Sequence, residues 1–370
     1  MWLLPSRKRP HNLKNFFTHY STSRATTPGI VLIDQQDYSE LKNEYDQIQL
    51  PINWKIRTTS SVRMGDKVQE VLHEILKENN WVGLLSDDHI PRTPEWDIKI
   101  VNSLTGWNFI STDDGIFAPQ GPGPCGAICY SGELIRKLGW IFPKGIYHCF
   151  HDDIWEILGR STGSWQIRMD VLVEHNNAAK AGHQDETHRM GHDNYESQRQ
   201  QFIRWSTEEQ ASSLHIVRSI RNQYLTDQHS AAYMYCHALD LFSEAQYVLA
   251  IEAFDQYLKN NTTYQNKCER AIANIYISRC HVHLNSNGTE VIEYLFKAIG
   301  EASTVKFTWN NLVFAMLQIK DYPNCFAACL NSMRSNSAIT DLCPIEPRLQ
   351  FNIQEVLEIC TQQLGIKVKI

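Results

Sequence analysis

Several absences narrow the reading of this 370-residue chain. No apolar run approaches the ~20 residues that a membrane-spanning helix needs, so no membrane span is expected. Met1-Trp2-Leu3-Leu4 is apolar but stops at Pro5, too short for the apolar region of a signal peptide. No C-x-x-C pair occurs among the ten cysteines. Cys125/Cys129 and Cys325/Cys329 stand four apart, which suits reduced, mostly buried thiols in a cytoplasmic protein (the host's cytoplasm, for a viral chain). No acidic residue precedes Asp34, whereas Arg7, Lys8, Arg9, Lys14 and Arg24 do. In a chain of net charge -6 this basic opening is a local place to receive phosphate, not the signature of a protein that wraps nucleic acid. Proline is missing between Thr207 and Pro323, which leaves that stretch open to long helices.

The composition, 42% hydrophobic and 21% charged, is that of a globular protein, and the length suits two domains. In the first half, Trp2-Leu3-Leu4, Gly29 to Ile33 and Trp81 to Leu85 read as buried strands. Between the last two, Met64 to Asn79 has helical spacing, with Val68, Val71, Leu72, Ile75 and Leu76 on one face. Strand and helix in alternation imply an α/β, Rossmann-like domain with a mainly parallel sheet and flanking helices over 1–205. Ligands would sit at the carboxyl ends of its strands. Residues 115–126 are a Gly/Pro-rich loop. Residues 175–195, with His183, His188 and His192, read as a ligand-ordered lid. Over 206–370 the helical patterns come in pairs, Ala231–Gln246 with Tyr247–Asn260, Lys267–Leu284 with Glu290–Glu301, Thr308–Ile319 with Tyr322–Met333. Ala238, Ala250, Ala253, Ala271 and Ala273 stand at packing positions, as in an all-α helical-repeat domain.

The residues able to do chemistry follow strand ends. Asp87 and Asp88 come directly after Trp81–Leu85. Two adjacent carboxylates repel unless a cation or hydroxyls meet them, so one would take a ribose hydroxyl and the other a divalent ion. A solvated turn carries the same acidic pair. Asp152 and Asp153 open a helical pattern, where the dipole and capping favour one acid; the second, among His148, His151 and Trp155, would serve as a general base toward an acceptor hydroxyl. His175 ends the run Val171-Leu172-Val173. Added to Asp88 it would give a ligand set suiting Mn²⁺ better than Mg²⁺.

Taken in order, these segments resemble the inverting nucleotide-sugar glycosyltransferases of family two, of phage or bacterial type, which have the GT-A fold. Pro5, Ser6, Arg7 and Arg9 resemble the first-strand loop that grips the nucleotide, and Asp34 stands where the family places an acid against the base. Arg57, Met64-Gly65 and Lys67 resemble the stretch passing the diphosphate. Leu84-Leu85-Ser86-Asp87-Asp88-His89 is similar to the DxD-type motif, Asp87 toward the ribose and Asp88 toward the metal, with His89 in the motif's last place as a further metal candidate. Gly123-Pro124-Cys125-Gly126-Ala127 and Ser131 to Leu134 look like the acceptor side. Asp152-Asp153 matches the acidic base motif, which implies Asp153 as base and Asp152 as second choice, and His175 falls where relatives supply a metal-binding histidine. The resemblance implies a nucleotide-sugar donor, UDP-linked first, with Mn²⁺ or Mg²⁺, and as acceptor a glycan, a protein or hydroxymethylated phage DNA. The C-terminal half is similar to tetratricopeptide-like repeats, which would take a protein partner.

Two other readings stand beside it. A metal-dependent phosphoesterase would use the same acids and histidines, normally as a denser set on two metals. An inactive helical-repeat scaffold would not need Asp87, Asp88, Asp152 and Asp153 to persist together.

Overall fold

A computed structural model describes residues 1–115, 124, 126–176, 194–228, 230–260, 267–286, 288–303, 306–335, 342–344 and 352–366. The chain divides into two compact units, the first Met1–Gly159 with Ser164–Tyr224, the second Arg160–Gly163 with Leu225–Ile370.

The first unit is built on eight strands: β1 (Trp2–Pro5), β2 (Gly29–Asp34), β3 (Trp54–Thr59), β4 (Trp81–Leu84), β5 (His89–Pro91), β6 (Phe109–Asp113), β7 (Ile128–Ser131) and β8 (Trp165–His175). Their order is β3-β2-β1-β4-β7-β6-β8-β5. β1 runs parallel to both β2 and β4, Leu3 facing Ile30 on one side and Leu84 on the other. β2 pairs in parallel with β3, and β6 with β8. β7 is antiparallel to β4 and β6. With β7 reversed inside it and the short edge strand β5 reversed against β8, this is a mixed α/β sheet with helices on its faces, consistent with the GT-A fold. It is more mixed than strand patterns alone suggest, because the four-residue β7 lies unmarked just before a helix.

The helices α1 (Pro10–Thr22), α2 (Gln35–Glu40), α3 (Lys42–Asp46), α4 (Met64–Glu78), α5 (Trp96–Val101), α6 (Gly132–Leu138) and α7 (His151–Thr162) join these strands. α4 buries Val68, Val71, Leu72, Ile75 and Leu76, the apolar stripe at helical spacing. At the centre, Trp2 is fully buried, and a Cβ placed on Gly83 would come 2.0 Å from its ring. Only glycine lets β4 approach β1 there. β8 alternates buried Trp165, Ile167, Met169, Val171 and Val173 with half-exposed residues. Its register against β6 shifts between Thr112 and Asp113; beyond that bulge its end is free to pair with β5. The unit closes with α8 (Tyr195–Arg204), a π-turn at Trp205–Glu209 and α9 (Gln210–Tyr224).

The second unit is helical: α10 (Ala231–Ser243), α11 (Tyr247–Lys259), α12 (Lys267–His283), α13 (Gly288–Glu301), α14 (Lys306–Gln318), α15 (Tyr322–Arg334) and α16 (Ile353–Leu364). Successive helices pack as pairs, and Ala238, Ala250, Ala253, Ala271 and Ala273 are all buried between them. Tyr257 reaches from α11 to donate its hydroxyl to Glu269 of α12 at 3.0 Å. Among the described residues, no helix is long and apolar enough to cross a membrane.

Candidate functional site

The carboxyl ends of β1 and β4 come together through buried polar contacts. Asp87, just past β4, accepts from the Ser6 hydroxyl at 2.7 Å, from Arg9 Nη1 at 3.0 Å and from Asn12 Nδ2 at 3.5 Å. Burial pushes the Asp87 carboxyl upward, the Arg9 guanidinium opposes this, and the charge of Asp88 adds to the rise. Lys67, buried on α4, donates to the Ser6 carbonyl at 2.7 Å and to Asp34 Oδ2 at 3.2 Å. Burial pulls its ammonium below the ordinary value, with Asp34 acting the other way. Asp34 also caps α2 by accepting the Asp37 N–H at 3.0 Å. These contacts tie three strand ends and the helices α1, α2 and α4 into one frame.

Asp88 goes elsewhere. Its Oδ1 accepts from the Ser86 hydroxyl and lies 3.3 Å from His175 Nε2. His89 and His175 are direct partners across the antiparallel β5–β8 pair, their rings 4.8 Å apart and edge to face. The Ser86 N–H donates to His89 Nδ1 at 3.2 Å, and Asn176 N–H donates to the Asp88 carbonyl at 3.0 Å. Burial alone would raise the Asp88 carboxyl; the hydrogen bond and charge of His175, with His89 and Ser86 behind them, hold it well below the usual carboxylate range. Burial in turn favours neutral His175, and Asp88 overrides this and raises it. One ligand atom from each of Asp88, His89 and His175 lies within 4.8 Å of the others, a group that could hold a metal ion. The residues fit such an ion. His175 Nδ1 is buried without a hydrogen-bond partner, and one oxygen with two imidazole nitrogens suits a transition metal better than Mg²⁺.

Two cavities adjoin this frame. One, about 330 Å³, is lined by Asp88, His89, His175, Asp152, His148 and Phe150 among others. The second, about 160 Å³, is lined by Ser6, Arg7, Arg9, Arg63, Lys67 and Tyr147 among others, so cations dominate its charged wall. Arg9, Met64, Ser86 and His148 belong to both. Arg63 lies over the Tyr147 ring at 4.4 Å.

The acids at the start of α7 separate. Asp152 lines the larger cavity and is half exposed, its Oδ1 held by His151 Nδ1 at 3.1 Å. Asp153 lines neither cavity. The loop leading to them is fastened by Gln198 of α8, whose buried Oε1 accepts the N–H groups of Tyr147, His148 and Cys149 at 3.2, 2.8 and 3.0 Å. Phe150 follows in the left-handed region at φ 65, its ring between Tyr195 and Phe202.

Of the residues expected from sequence, Pro5, Ser6, Arg7, Arg9, Lys67 and Asp87 line the smaller cavity, and Asp88, His89, His175 and Asp152 the larger. Asp34 is buried behind Lys67 and lines neither. Arg57 on β3 pairs with Glu74 of α4 at 2.9 Å, away from both linings. Gly123, Cys125, His183, His188 and His192, and the lid expected over most of 175–195, lie outside the described residues. Arg63 and Tyr147 were not anticipated, although Arg63 directly precedes Met64-Gly65. Gln198 carries no local signal, because its role depends on a loop fifty residues earlier in the chain.

No protein-family model matches the sequence, and no curated protein does. Among solved structures, mouse xyloside xylosyltransferase 1 in its apo form matches at 13% identity over 43% of this chain and 73% of that one, with a TM-score of 0.26. A likeness at that level adds nothing to what strand order itself establishes.

Proposed function

We propose that the first unit is an inverting glycosyltransferase that moves a sugar from a nucleotide-diphosphate donor, UDP-linked first, to an acceptor hydroxyl. The observation that carries this reading is the pairing of two cavities: a small cation-walled one suited to a nucleotide, and a larger one in which the Asp88–His89–His175 group faces the Asp152 carboxylate. A GT-A sheet with ligand groups at its strand ends accords with it.

In this reading Arg7, Arg9 and Arg63 attract the donor's phosphates and Tyr147 offers a ring face to the base. Asp88, His89 and His175 would hold a divalent cation, Mn²⁺ rather than Mg²⁺, which when bound neutralises charge on the diphosphate. Asp152 accepts the acceptor's hydroxyl proton as the acceptor oxygen bonds to the anomeric carbon. The bond from that carbon to the diphosphate oxygen breaks with its electron pair on the leaving nucleotide. Asp152 is preferred to Asp153 as base because it is the one that reaches the cavity. Asp87, bound to Ser6, Arg9 and Asn12, shapes the donor-side wall; contact with a ribose would require exchange of one of those partners. The acceptor is a glycan, a protein or a modified DNA base, and the family-two and phage affinities belong to this proposal as well. The helical unit would carry a protein partner.

Incubation with a panel of UDP-, GDP- and dTDP-sugars and Mn²⁺, followed by mass spectrometry of released nucleotide and of glycan, protein and hydroxymethylated DNA acceptors, tests it. Release of nucleotide diphosphate with inversion supports the proposal. Cleavage of phosphate monoesters with no turnover of any nucleotide-sugar would sink it in favour of a phosphoesterase.

A further inference from the structure

Behind Asp152 stands a buried chain of groups that the proposed transfer does not itself use. Tyr130 of β7 is fully buried, and its hydroxyl lies 3.3 Å from His151 Nε2. His151, also buried, lies face to face with Phe142 at 4.2 Å and places Nδ1 3.1 Å from Asp152 Oδ1. The imidazole is thus held on its face by a ring and at both nitrogens by oxygen atoms. Among the described residues, His151 is the hydrogen-bond partner of the Asp152 carboxylate, which otherwise meets the cavity.

The direction of these bonds can be worked out. Burial, reinforced by the charge of Asp152, pushes the Tyr130 phenol well above its ordinary value, so it keeps its proton and can donate it. A carboxylate can only accept, so Nδ1 of His151 carries the proton that meets Asp152 Oδ1, and in the neutral ring Nε2 then accepts from the Tyr130 hydroxyl. A donor on one carboxylate oxygen fixes the plane of the group and leaves the other oxygen's lone pairs for a substrate proton. For a half-exposed aspartate at a helix start, otherwise able to rotate about its side-chain bonds, that restriction converts a mobile acid into an aimed one.

We infer that Tyr130 and His151 are positioning residues that orient Asp152 toward the acceptor hydroxyl, with His151 as the Nδ1–H tautomer. The inference rests on the transfer reading above, in which Asp152 is the base. Neither residue touches substrate; both act through Asp152.

Two measurements test it. Long-range ¹⁵N–¹H spectra of the imidazole, needing no substrate, should give the Nδ1–H form of His151 in the wild-type protein. Tyr130→Phe, which removes the donor to Nε2, should leave a tautomer mixture. In turnover of the nucleotide-sugar panel with Mn²⁺, His151→Leu should lower kcat by about ten- to a hundredfold with KM for the donor little changed. His151→Asn, which keeps a side-chain N–H near the Nδ1 position, should recover most of that loss. A purely structural role would lower stability and leave no such rescue, and melting of each variant separates the two. A wild-type protein that turns over no donor sinks the transfer reading itself. An active enzyme in which Asp152→Asn is inert and a folded His151→Leu keeps full kcat overturns the positioning role alone, as does an Nε2–H spectrum.

Discussion

Asp87 and Asp88 are neighbours in the chain whose carboxylates serve separate networks, Asp87 bound to Arg9 and Ser6 inside the frame and Asp88 turned to His175 at the cavity. The backbone turn after β4 lets adjacent acids avoid one another, and substitution should expose the difference. Asp88→Ala should weaken Mn²⁺-dependent UDP binding at least about tenfold, a loss of ~1.4 kcal/mol, with a smaller loss of stability than Asp87→Ala, since His175 can give up its proton once its partner is gone. Asp87→Ala removes the buried carboxylate to which Ser6 and Arg9 Nη1 donate and should cost about 3–5 kcal/mol of stability. Calorimetric titration and urea unfolding of the two variants check this; equal stability loss in both would contradict the division.

Asp152 and Asp153 should separate as well. Asp152→Asn should reduce transfer by about 10²–10⁴ with UDP binding intact, whereas Asp153→Asn should stay within about tenfold of wild type. Steady-state rates beside calorimetric binding of UDP decide it, and the reverse ranking would return the role of base to Asp153.

Lys67 offers a stability test with a defined pH sign. Burial lowers its folded pKa below the ordinary 10.5. Below that lowered value both folded and unfolded chains hold the proton, so the cost of burying it is fully present there. Between the lowered folded value and 10.5 the unfolded chain binds more protons, and this residue's contribution to stability rises with pH. Lys67→Met should abolish that alkaline rise. It should also cost up to about 3–5 kcal/mol by removing the nearer cation of buried Asp34, whose other, Arg7 Nε, stands 3.7 Å away, and Lys67→Met with Asp34→Leu should recover much of the loss. Urea midpoints across pH 7 to 11 measure each part.

Gln198 holds three consecutive backbone donors on one oxygen. Gln198→Leu removes their shared acceptor, at about 1–3 kcal/mol for a donor that water cannot reach, and of the three residues Tyr147 is the buried one. The first unit should lose about 1–3 kcal/mol, and the amides of residues 147–149 should exchange with solvent faster. Gln198→Glu keeps an oxygen acceptor and should be far milder. Hydrogen exchange on the three proteins reads this directly.

Much of the fold was legible because its strongest signals are local. Trp2–Leu4, Gly29–Ile33 and Trp81–Leu85 are unbroken apolar runs, and α4 has a clear buried stripe. Helix boundaries in the second unit also follow the sequence pattern closely, as with Tyr322, which opens α15. β3 escaped because Lys55 to Thr58, between buried Trp54 and Thr59, are exposed or half-buried with no alternation, and β7 because four residues before a helix carry no period. At the site, Asp88, His89 and His175 were within reach, since His89 opens a strand, His175 ends one and Asp88 stands in the turn between β4 and β5. Lys67 and Asp34 were visible as polar residues, but not their burial against each other, which arises from packing across three elements. The same limit hid the Tyr130–His151 chain: Tyr130 reads as an ordinary β residue until β7 is laid beside α7.

β5 is three residues long, and it lies against the far end of β8 with His89 opposite His175. An ion gripped by one ring from each strand, and by Asp88 at the turn, would lace the two together, so that its affinity becomes part of the sheet's own cohesion. At a hundred times its Kd such an ion adds about 2.7 kcal/mol to the folded state. Heat resistance, or the exchange rates of amides 89–91 and 173–175, would then serve as a ruler for comparing Mn²⁺ with Mg²⁺, and it could be read before any sugar is found.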